Sequence, residues 1–214
     1  MFSKKLILSI LGCLSVVAAV PAADTNDLPY PVAPFRASYQ ETPDSEPIML
    51  EGDVHDKVQK LRARAGLSEF SPAALPEIRS ELVERTQQNT FCCKDIGQPW
   101  NYAWAGCTHS AAINLSVLKD VYVEPRSCVL AHCYGEADIW VCNDNDHQIH
   151  PEAGYIAKMA VSIELTCVQT NDSHKRFSCG QQFDSQNYNV ILRRTGVQNT
   201  CPTGKDKDCS AWSY

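Results

Sequence analysis

The chain has only one long apolar run, near its amino terminus, and it has no cysteine at residues 23–91. After an apolar run at residues 6–20, no stretch of about eighteen apolar residues follows, although a membrane-spanning helix needs one. The polar ending CSAWSY, residues 209–214, also lacks the apolar tail of a lipid-anchor signal. We therefore expect no stable insertion into a membrane.

A surplus of basic residues is also missing. Residues 23–90 carry seven basic and twelve acidic side chains, residues 91–214 carry ten and thirteen, and the whole chain has a formal net charge of −6. Nucleic-acid-binding proteins usually show the opposite balance, because they neutralise phosphates. We expect no nucleic-acid partner, and we interpret the doublets Lys175-Arg176 and Arg193-Arg194 as solvated surface.

The first residues predict secretion. Lys4 and Lys5 precede the apolar run, and Val20 and Ala22 supply the small residues of a signal-peptidase site. Residues 1–22 are therefore predicted to be a signal peptide, and the mature protein is expected to be extracellular.

Secretion decides how the cysteines are interpreted. Cys13 would leave with the signal peptide, and an even set of ten would remain in an oxidising compartment, where disulfides persist. We predict up to five disulfide bonds among Cys92, Cys93, Cys107, Cys128, Cys133, Cys142, Cys167, Cys179, Cys201 and Cys209. The sequence alone does not assign the pairs.

The positions of the cysteines suggest a domain boundary. Residues 91–214 form the predicted cysteine-rich domain, and residues 23–90 form an acidic segment that is partly disordered. Within the segment, residues 23–48 are rich in proline and lack periodicity, whereas apolar residues recur at helical spacing at residues 54–65 and 75–82. Two short helices there would either dock on the cysteine-rich domain or belong to a removable pro-segment.

The cysteine-rich domain shows both periods of regular structure. The pattern predicts a strand at residues 91–96, a helix at 102–119, two strands at 128–142, a helix at 151–167 and a strand at 183–194. Cys92 and Cys93 are expected on opposite faces of the first strand, and Glu164 on the wet side of the second helix. The order strand-helix-strand-strand-helix-strand favours an α+β fold with two helices on an antiparallel sheet.

Residues 133–151 gather cysteines, acids and two histidines, which raises the question of a metal site. No calcium-loop spacing is present, because the sixth and twelfth residues counted from Asp144 are Ile149 and Tyr155. His147 and His150 could bind a transition metal, but Asn and Asp in such a segment commonly satisfy backbone groups in turns. We expect no metal and no cofactor, with the histidine pair as the open alternative.

The sequence offers little support for catalysis. Cys107, Thr108, His109 and Ser110 are neighbours on a predicted helix, where consecutive side chains point in different directions. Neither a Gly-x-Ser-x-Gly elbow nor a His-Glu-x-x-His helix occurs. We predict that the protein is not an enzyme. The alternative is a hydrolase or ribonuclease that uses residues distant in sequence, such as His109, Glu136 and Arg193.

Two sequons predict glycosylation. Asn171 belongs to a polar loop and is the better candidate, whereas Asn114 belongs to a predicted helix.

Three stretches together resemble a known group of proteins. CYGEADIWVCNDN at residues 133–145, IAKMAVSIELTC at 156–167 and CGQQFDSQNYNVILR at 179–193 are similar to small cysteine-rich secreted proteins of filamentous fungi. Members share a strand ending in Cys-Asn-Asp-Asn, a helix ending in cysteine, a Gly-Gln turn and a closing Tyr-Asn-Val-Ile strand.

The resemblance spans about residues 100–201 and implies a fold similar to the killer toxins of smut fungi. That fold is a disulfide-stabilised α/β sandwich, shared by several plant-pathogen effectors without established enzymatic activity. Leu-x-x-Arg at residues 61–64 and 82–85 looks like the sites at which kexin-type proteases mature some of these effectors. The segment before residue 91 and the tail from residue 201 depart from the compact family pattern.

These observations predict a secreted effector-like or toxin-like protein with a role in virulence. It would act by binding an extracellular or host target, either a protein or a glycan. The alternatives are an antimicrobial protein aimed at competing microbes and the hydrolase or ribonuclease named above.

Overall fold

A computed structural model describes residues 27–42, 44–52, 55–64 and 87–194 together with Cys201 and Cys209. The strands are β1 (Arg36–Tyr39), β2 (Ile48–Glu51), β3 (Gln87–Cys92), β4 (Ala103–Trp104), β5 (Val121–Tyr122), β6 (Cys128–Tyr134), β7 (Ala137–Asn143), β8 (Gln169–Thr170), β9 (Arg176–Ser178), β10 (Gly180–Asp184) and β11 (Tyr188–Arg194). The helices are α1 (His55–Arg64), α2 (Cys93–Ile96), α3 (Ala105–Leu115) and α4 (Ala153–Thr166).

The protein is a mixed α+β structure built on antiparallel sheets. A five-stranded sheet has the order β3-β10-β11-β7-β6, and two three-stranded sheets have the orders β2-β1-β5 and β4-β9-β8. The hairpin of β6 and β7 turns at Gly135, whose φ of 53° lies in the left-handed region that favours glycine. The general α+β prediction is confirmed.

Both longer helices pack against one face of the five-stranded sheet. Helix α3 contacts β6 and β7, α4 contacts β3, β10 and β11, and the two helices contact each other. Ile139 and Val141 of β7 share one apolar cluster with Leu115 of α3 and Ile156 of α4, all fully buried. This face forms because period two in the strand and a three-to-four-residue stripe in the helices each create one apolar side.

The opposite face of the sheet carries a second apolar cluster without a long helix. Trp140 and Ile191 of this face are buried together with Trp100, and Leu28 and Tyr30 pack against them. The indole nitrogen of Trp100 donates a hydrogen bond to the backbone oxygen of Asp27 over 2.9 Å. The sheet is therefore covered on both faces, on the second by irregular chain.

Strands also form where the sequence predicts extended or disordered chain. β1 pairs with β2 on one side and with β5 on the other, so β1 contacts the cysteine-rich part. The Ser38 hydroxyl donates to the Asp120 carboxylate over 3.1 Å, and Val58 of α1 is fully buried. The backbone of β1 finds its partners far along the chain, which a local pattern cannot show.

Part of the predicted amino-terminal organisation lies outside the described residues. This applies to the signal peptide, to the helix at residues 75–82 and to the Leu-x-x-Arg site at 82–85. The other Leu-x-x-Arg site, residues 61–64, forms the last turn of α1. Removal of residues 23–90 stays a prediction.

Two local predictions are corrected. The strand predicted at residues 91–96 ends at Cys92, and Cys93 begins the short helix α2. The strand predicted at residues 183–194 is the second half of a hairpin, since β10 ends at Asp184 and β11 begins after Asn187, which has φ 57°. The Asp184 carboxylate accepts a hydrogen bond from the Gln186 backbone N–H over 2.8 Å, so the polar residues here build a turn.

Gly180 opens strand β10, whereas the resemblance implies a Gly-Gln turn. A Cβ atom at this position would lie 2.7 Å from the backbone oxygen of Phe91 and 3.0 Å from Cys167 Sγ. The glycine is needed because strand β3 and a disulfide approach its backbone closely.

Candidate functional site

All ten cysteines that follow the predicted signal peptide are paired. The five disulfides are Cys92–Cys167, Cys93–Cys179, Cys107–Cys209, Cys128–Cys142 and Cys133–Cys201. Although Cys92 and Cys93 are neighbours, their bonds reach the apolar clusters on opposite faces of the sheet. The adjacent cysteines thus tether one edge of the sheet to two different parts of the chain, although Cys93 belongs to α2 and not to the strand in which the sequence predicts it.

Two of the disulfides join cysteines near the carboxyl terminus to the fold. Cys201 is bound to β6 through Cys133, and Cys209 is bound to α3 through Cys107. A Cβ atom at Gly106 would lie 1.9 Å from the backbone oxygen of Cys209. Only glycine allows the tail to come this close to α3.

The Cys-Asn-Asp-Asn run, residues 142–145, is a structural junction. The amide nitrogen of buried Asn143 lies 3.1 Å from the backbone oxygens of Val123 and Glu124 and 2.8 Å from that of His147. The Asn143 side-chain oxygen accepts a hydrogen bond from the Asn145 backbone N–H over 2.9 Å. The Asn143 side chain therefore satisfies backbone groups both in the chain that precedes β6 and in the chain that follows β7.

The same run also secures the hairpin of β10 and β11. The Asn145 amide nitrogen donates to the backbone oxygens of Gln186 and Asn187, over 2.9 and 3.0 Å. Asn189 Nδ2 donates to an Asp144 carboxylate oxygen over 3.3 Å. The amide nitrogens of Asn145 and Asn189 therefore join this run to the hairpin.

His147 and His150 point to different neighbours. His147 Nδ1 lies 3.2 Å from the Asp146 carboxylate, and this hydrogen bond lowers the pKa of Asp146. The His150 ring instead lies 5.7 Å from the ring of Tyr122. Among the described residues, no group of three or more His, Cys, Asp or Glu side chains is arranged to hold a metal ion.

The three residues suggested for a hydrolase are not brought together. Glu136, in the turn of the β6–β7 hairpin, pairs with Arg194 at the end of β11. The Arg193 guanidinium lies 5.1 Å from the Trp140 ring on the sheet face without helices, and burial lowers the pKa of Arg193. His109 belongs to α3, which packs on the opposite face.

His109 instead belongs to a cluster that the sequence does not predict. His109 Nε2 lies 3.0 Å from Oε2 of Glu164, and an Arg176 nitrogen donates to Oε1 of Glu164 over 3.1 Å. The Glu164 side chain has 0% exposure, whereas those of His109 and Arg176 have 16% and 27%. The cluster ties α3, α4 and β9 together around one buried carboxylate.

Glu164 corrects the prediction for the second helix, whose wet side was expected to include it. The contacts with α3 and with β9 bury this flank of α4 in addition to the flank on the sheet. A buried carboxylate requires compensation: Arg176 donates a hydrogen bond to Glu164, and His109 Nε2 lies within ion-pair distance of it. The helical pattern alone could not suggest that Glu164 pairs with Arg176, because the position of β9 beside α4 is not visible in the sequence.

Other side chains near His109 serve the backbone of α3. The Thr108 hydroxyl donates to the Trp104 backbone oxygen over 3.3 Å, and the Ser110 hydroxyl donates to that of Gly106 over 3.2 Å. The Cys107 thiol is consumed in a disulfide. None of these three groups is therefore placed as a nucleophile next to His109.

The sequons differ in exposure, and we expect the folded, secreted protein to carry a glycan on Asn171 and none on Asn114. Asn171 is exposed in a turn, where its side-chain oxygen accepts from the Lys175 backbone N–H over 2.9 Å. Asn114 has 1% exposure within α3, so a glycan attached there before folding would prevent α3 from packing. Mass spectrometry of Asn171→Gln from a eukaryotic secretory host checks this, and a remaining N-glycan would contradict it.

No protein-family model, no curated protein and no solved structure matches the chain. No helix in the described part of the chain is long and apolar enough to span a membrane. The five disulfides are consistent with an extracellular protein, because such bonds persist in oxidising compartments.

Proposed function

We propose that this chain is a secreted effector-like or toxin-like protein that acts by binding an extracellular or host target. The observation that carries the proposal is the pairing of all ten cysteines. Five disulfides suit a protein that must stay folded outside the cell. The predicted signal peptide supports the same compartment.

The proposed family is that of the killer-toxin-like effectors of filamentous fungi, with their α/β sandwich. Support comes from the three sequence stretches at residues 133–145, 156–167 and 179–193. Each of them contributes cysteines or buried residues to the part of the fold where α3 and α4 lie on the five-stranded sheet. An experimental structure superposed on a killer toxin tests this part of the proposal.

Binding is favoured over catalysis by the use of the polar side chains. Asn143 and Asn145 hold loops, Glu136 pairs with Arg194, and Arg193 is buried beside Trp140. These groups stabilise the fold, and a protein of this type then acts through its surface.

A secreted hydrolase or ribonuclease is the second candidate, and His109 is the observation that favours it. A buried carboxylate oxygen 3.0 Å from an imidazole nitrogen resembles the pairing that orients a general base. Hydrolysis of a substrate would then depend on His109 and on Glu164.

The experiment uses the full chain, secreted with its disulfides intact. Labelled protein is added to plant tissue and to microbial cultures, and RNA, glycans and esters are screened for turnover. We expect saturable binding to plant tissue and no turnover. Saturable binding and growth inhibition confined to microbes would replace the proposal with the antimicrobial function.

The variant His109→Gln separates binding from catalysis. It retains a side chain that can donate to Glu164, and its melting temperature is compared with that of the parent protein. Turnover by the parent that disappears in a folded His109→Gln variant would overturn the proposal in favour of an enzyme.

A further inference from the structure

Strand β2 is an exposed edge with apolar side chains. In the described part of the chain β2 pairs only with β1, on one of its two sides. Ile48 is 57% exposed and Met49 is 42% exposed, although both are large and apolar. An unpaired edge offers a row of backbone N–H and C=O groups to another strand, and proteins usually protect it with charge.

The loop that precedes β2 is acidic. Glu41, Asp44 and Glu46 are exposed in the loop between β1 and β2, and none of the three has an ion-pair partner among the described residues. The Ser45 hydroxyl donates to the Thr42 backbone oxygen over 2.9 Å, which shapes the loop. An apolar edge thus begins directly after three carboxylates that form no ion pair among the described residues, with Lys119 lining the same cavity as Glu41.

The charge at the other end of β2 is already compensated. Glu51 Oε1 lies 3.2 Å from Arg36 Nε, and the Lys57 ammonium contacts the Glu51 backbone oxygen over 3.4 Å. The free negative charge is therefore concentrated at the Ile48 end of the strand.

We propose that β2 binds an extended basic and apolar segment of a target protein by strand addition. The apolar side chains of the segment would cover Ile48 and Met49, and its lysines or arginines would lie near Glu41, Asp44 and Glu46. Backbone hydrogen bonds supply affinity in this mode of recognition, and the side chains supply specificity. The inference rests on the proposed binding function and adds the site and the chemistry of the partner.

A second copy of the chain fits this edge poorly. No lysine or arginine occurs at residues 37–56, and the cations that a second copy paired through β2 would bring nearest to the acidic loop, Arg36 and Lys57, already contact Glu51. Like charges across a strand pair are destabilising. A partner with basic residues removes this repulsion.

The test measures binding of a synthetic peptide, about ten residues long, to the full chain by fluorescence anisotropy; valines in one half of the peptide would contact both faces of β2, and lysines in the other half would lie near the acidic loop. We expect saturable binding that weakens with salt, and no binding of the peptide in which glutamate replaces lysine. Ile48→Ser/Met49→Ser should raise the dissociation constant about tenfold, because both apolar contacts are lost. Glu41→Gln/Asp44→Asn/Glu46→Gln should raise the dissociation constant by a similar factor and make it depend less on salt.

Matched variants control for nonspecific attraction. Leu165→Ser removes a side chain with the same 57% exposure from α4, and Asp172→Asn removes an exposed carboxylate elsewhere. Neither should change the dissociation constant. N-methylation of alternate peptide residues tests strand pairing directly: methyl groups on one edge of the peptide should abolish binding, and those on the other edge should not.

Several outcomes would overturn the inference. They are equal affinity of the parent and the folded Ile48→Ser/Met49→Ser variant, equal effects of both N-methylation patterns, and a concentration-dependent dimer in sedimentation that the same variant abolishes. The last would make a second copy the occupant. If the parent and this variant bind plant tissue equally, the binding function stands and only the β2 site falls. If the parent does not bind at all, the proposed function itself fails.

Discussion

Replacing Cys93 and Cys179 with alanine is expected to lower the free energy of unfolding by about 3 kcal/mol, measured by urea unfolding with the other four disulfides intact. The sequence separation of this disulfide is 86 residues, but the Cys92–Cys167 bond beside it stays closed, so the loop that opens in the unfolded chain has only about fifteen residues. The bond also joins the start of α2 to the residue before β10, which brings distant parts of the chain together.

The matched control is Cys128→Ala/Cys142→Ala. This disulfide spans 14 residues, so the loop-closure argument gives a loss of about 3 kcal/mol. All four cysteines are buried in the apolar cluster on the sheet face without helices, so the lost packing of sulfur is similar in the two variants. The two losses should therefore agree, and a loss from Cys93→Ala/Cys179→Ala that exceeds the control's by about 1.5 kcal/mol, the excess expected for a free 86-residue loop, would contradict the loop-closure explanation.

Replacing Arg176 with methionine is expected to lower the free energy of unfolding by about 3 kcal/mol. The change retains the apolar stem of the side chain but removes the guanidinium that donates to Oε1 of Glu164. The Glu164 carboxylate is fully buried, and a buried charge that loses a partner cannot recover its hydration. Urea unfolding of the parent and the variant at the same pH measures the difference.

Arg194→Met is the control for this second prediction. Arg194 also pairs with a glutamate, Glu136, but its side chain is 48% exposed, so its loss should cost less than about 1 kcal/mol. Adding Glu164→Gln to Arg176→Met should recover part of the lost stability, because the buried charge is then gone. Equal losses from the two arginine variants, or no recovery in the double variant, would show that burial of Glu164 does not determine the loss of unfolding free energy in Arg176→Met.

The elements with strong periodicity were predictable. The sequence predicts a helix at residues 102–119 and another at 151–167, and α3 and α4 lie within these ranges. The turn at Tyr134 and Gly135 was also predictable, because alternation on both sides predicts a hairpin. In each case the signal is local, since one face of the element must be apolar to be buried.

The elements that depend on distant partners were not predictable. β1 pairs with β5 across more than eighty residues, and nothing in the local pattern of residues 36–39 identifies that partner. Strand β10 was missed because Gln181 and Gln182 interrupt an apolar pattern, although Gln182 is buried and donates to the Thr90 hydroxyl over 2.9 Å. Tertiary contacts decide both cases.

The candidate sites divide in the same way. The sequence correctly indicates that the Asn and Asp residues of 142–145 serve turns, because such residues commonly satisfy backbone groups. It does not predict that His109 meets Glu164 and Arg176, since the three residues lie on separate elements. The acidic loop and the apolar residues of β2 are visible in the sequence, but their position at a sheet edge is not.

By itself, the sequence determines the α+β class, the position of the two main helices and the use of cysteine as a stabilising residue, since composition and periodicity are local properties. Tertiary structure alone decides which cysteines pair, which carboxylate is buried and which strand is left at an edge. The physical reason is that each of these depends on residues brought together from distant parts of the chain. Loop closure, burial of charge and strand pairing are set by the whole fold.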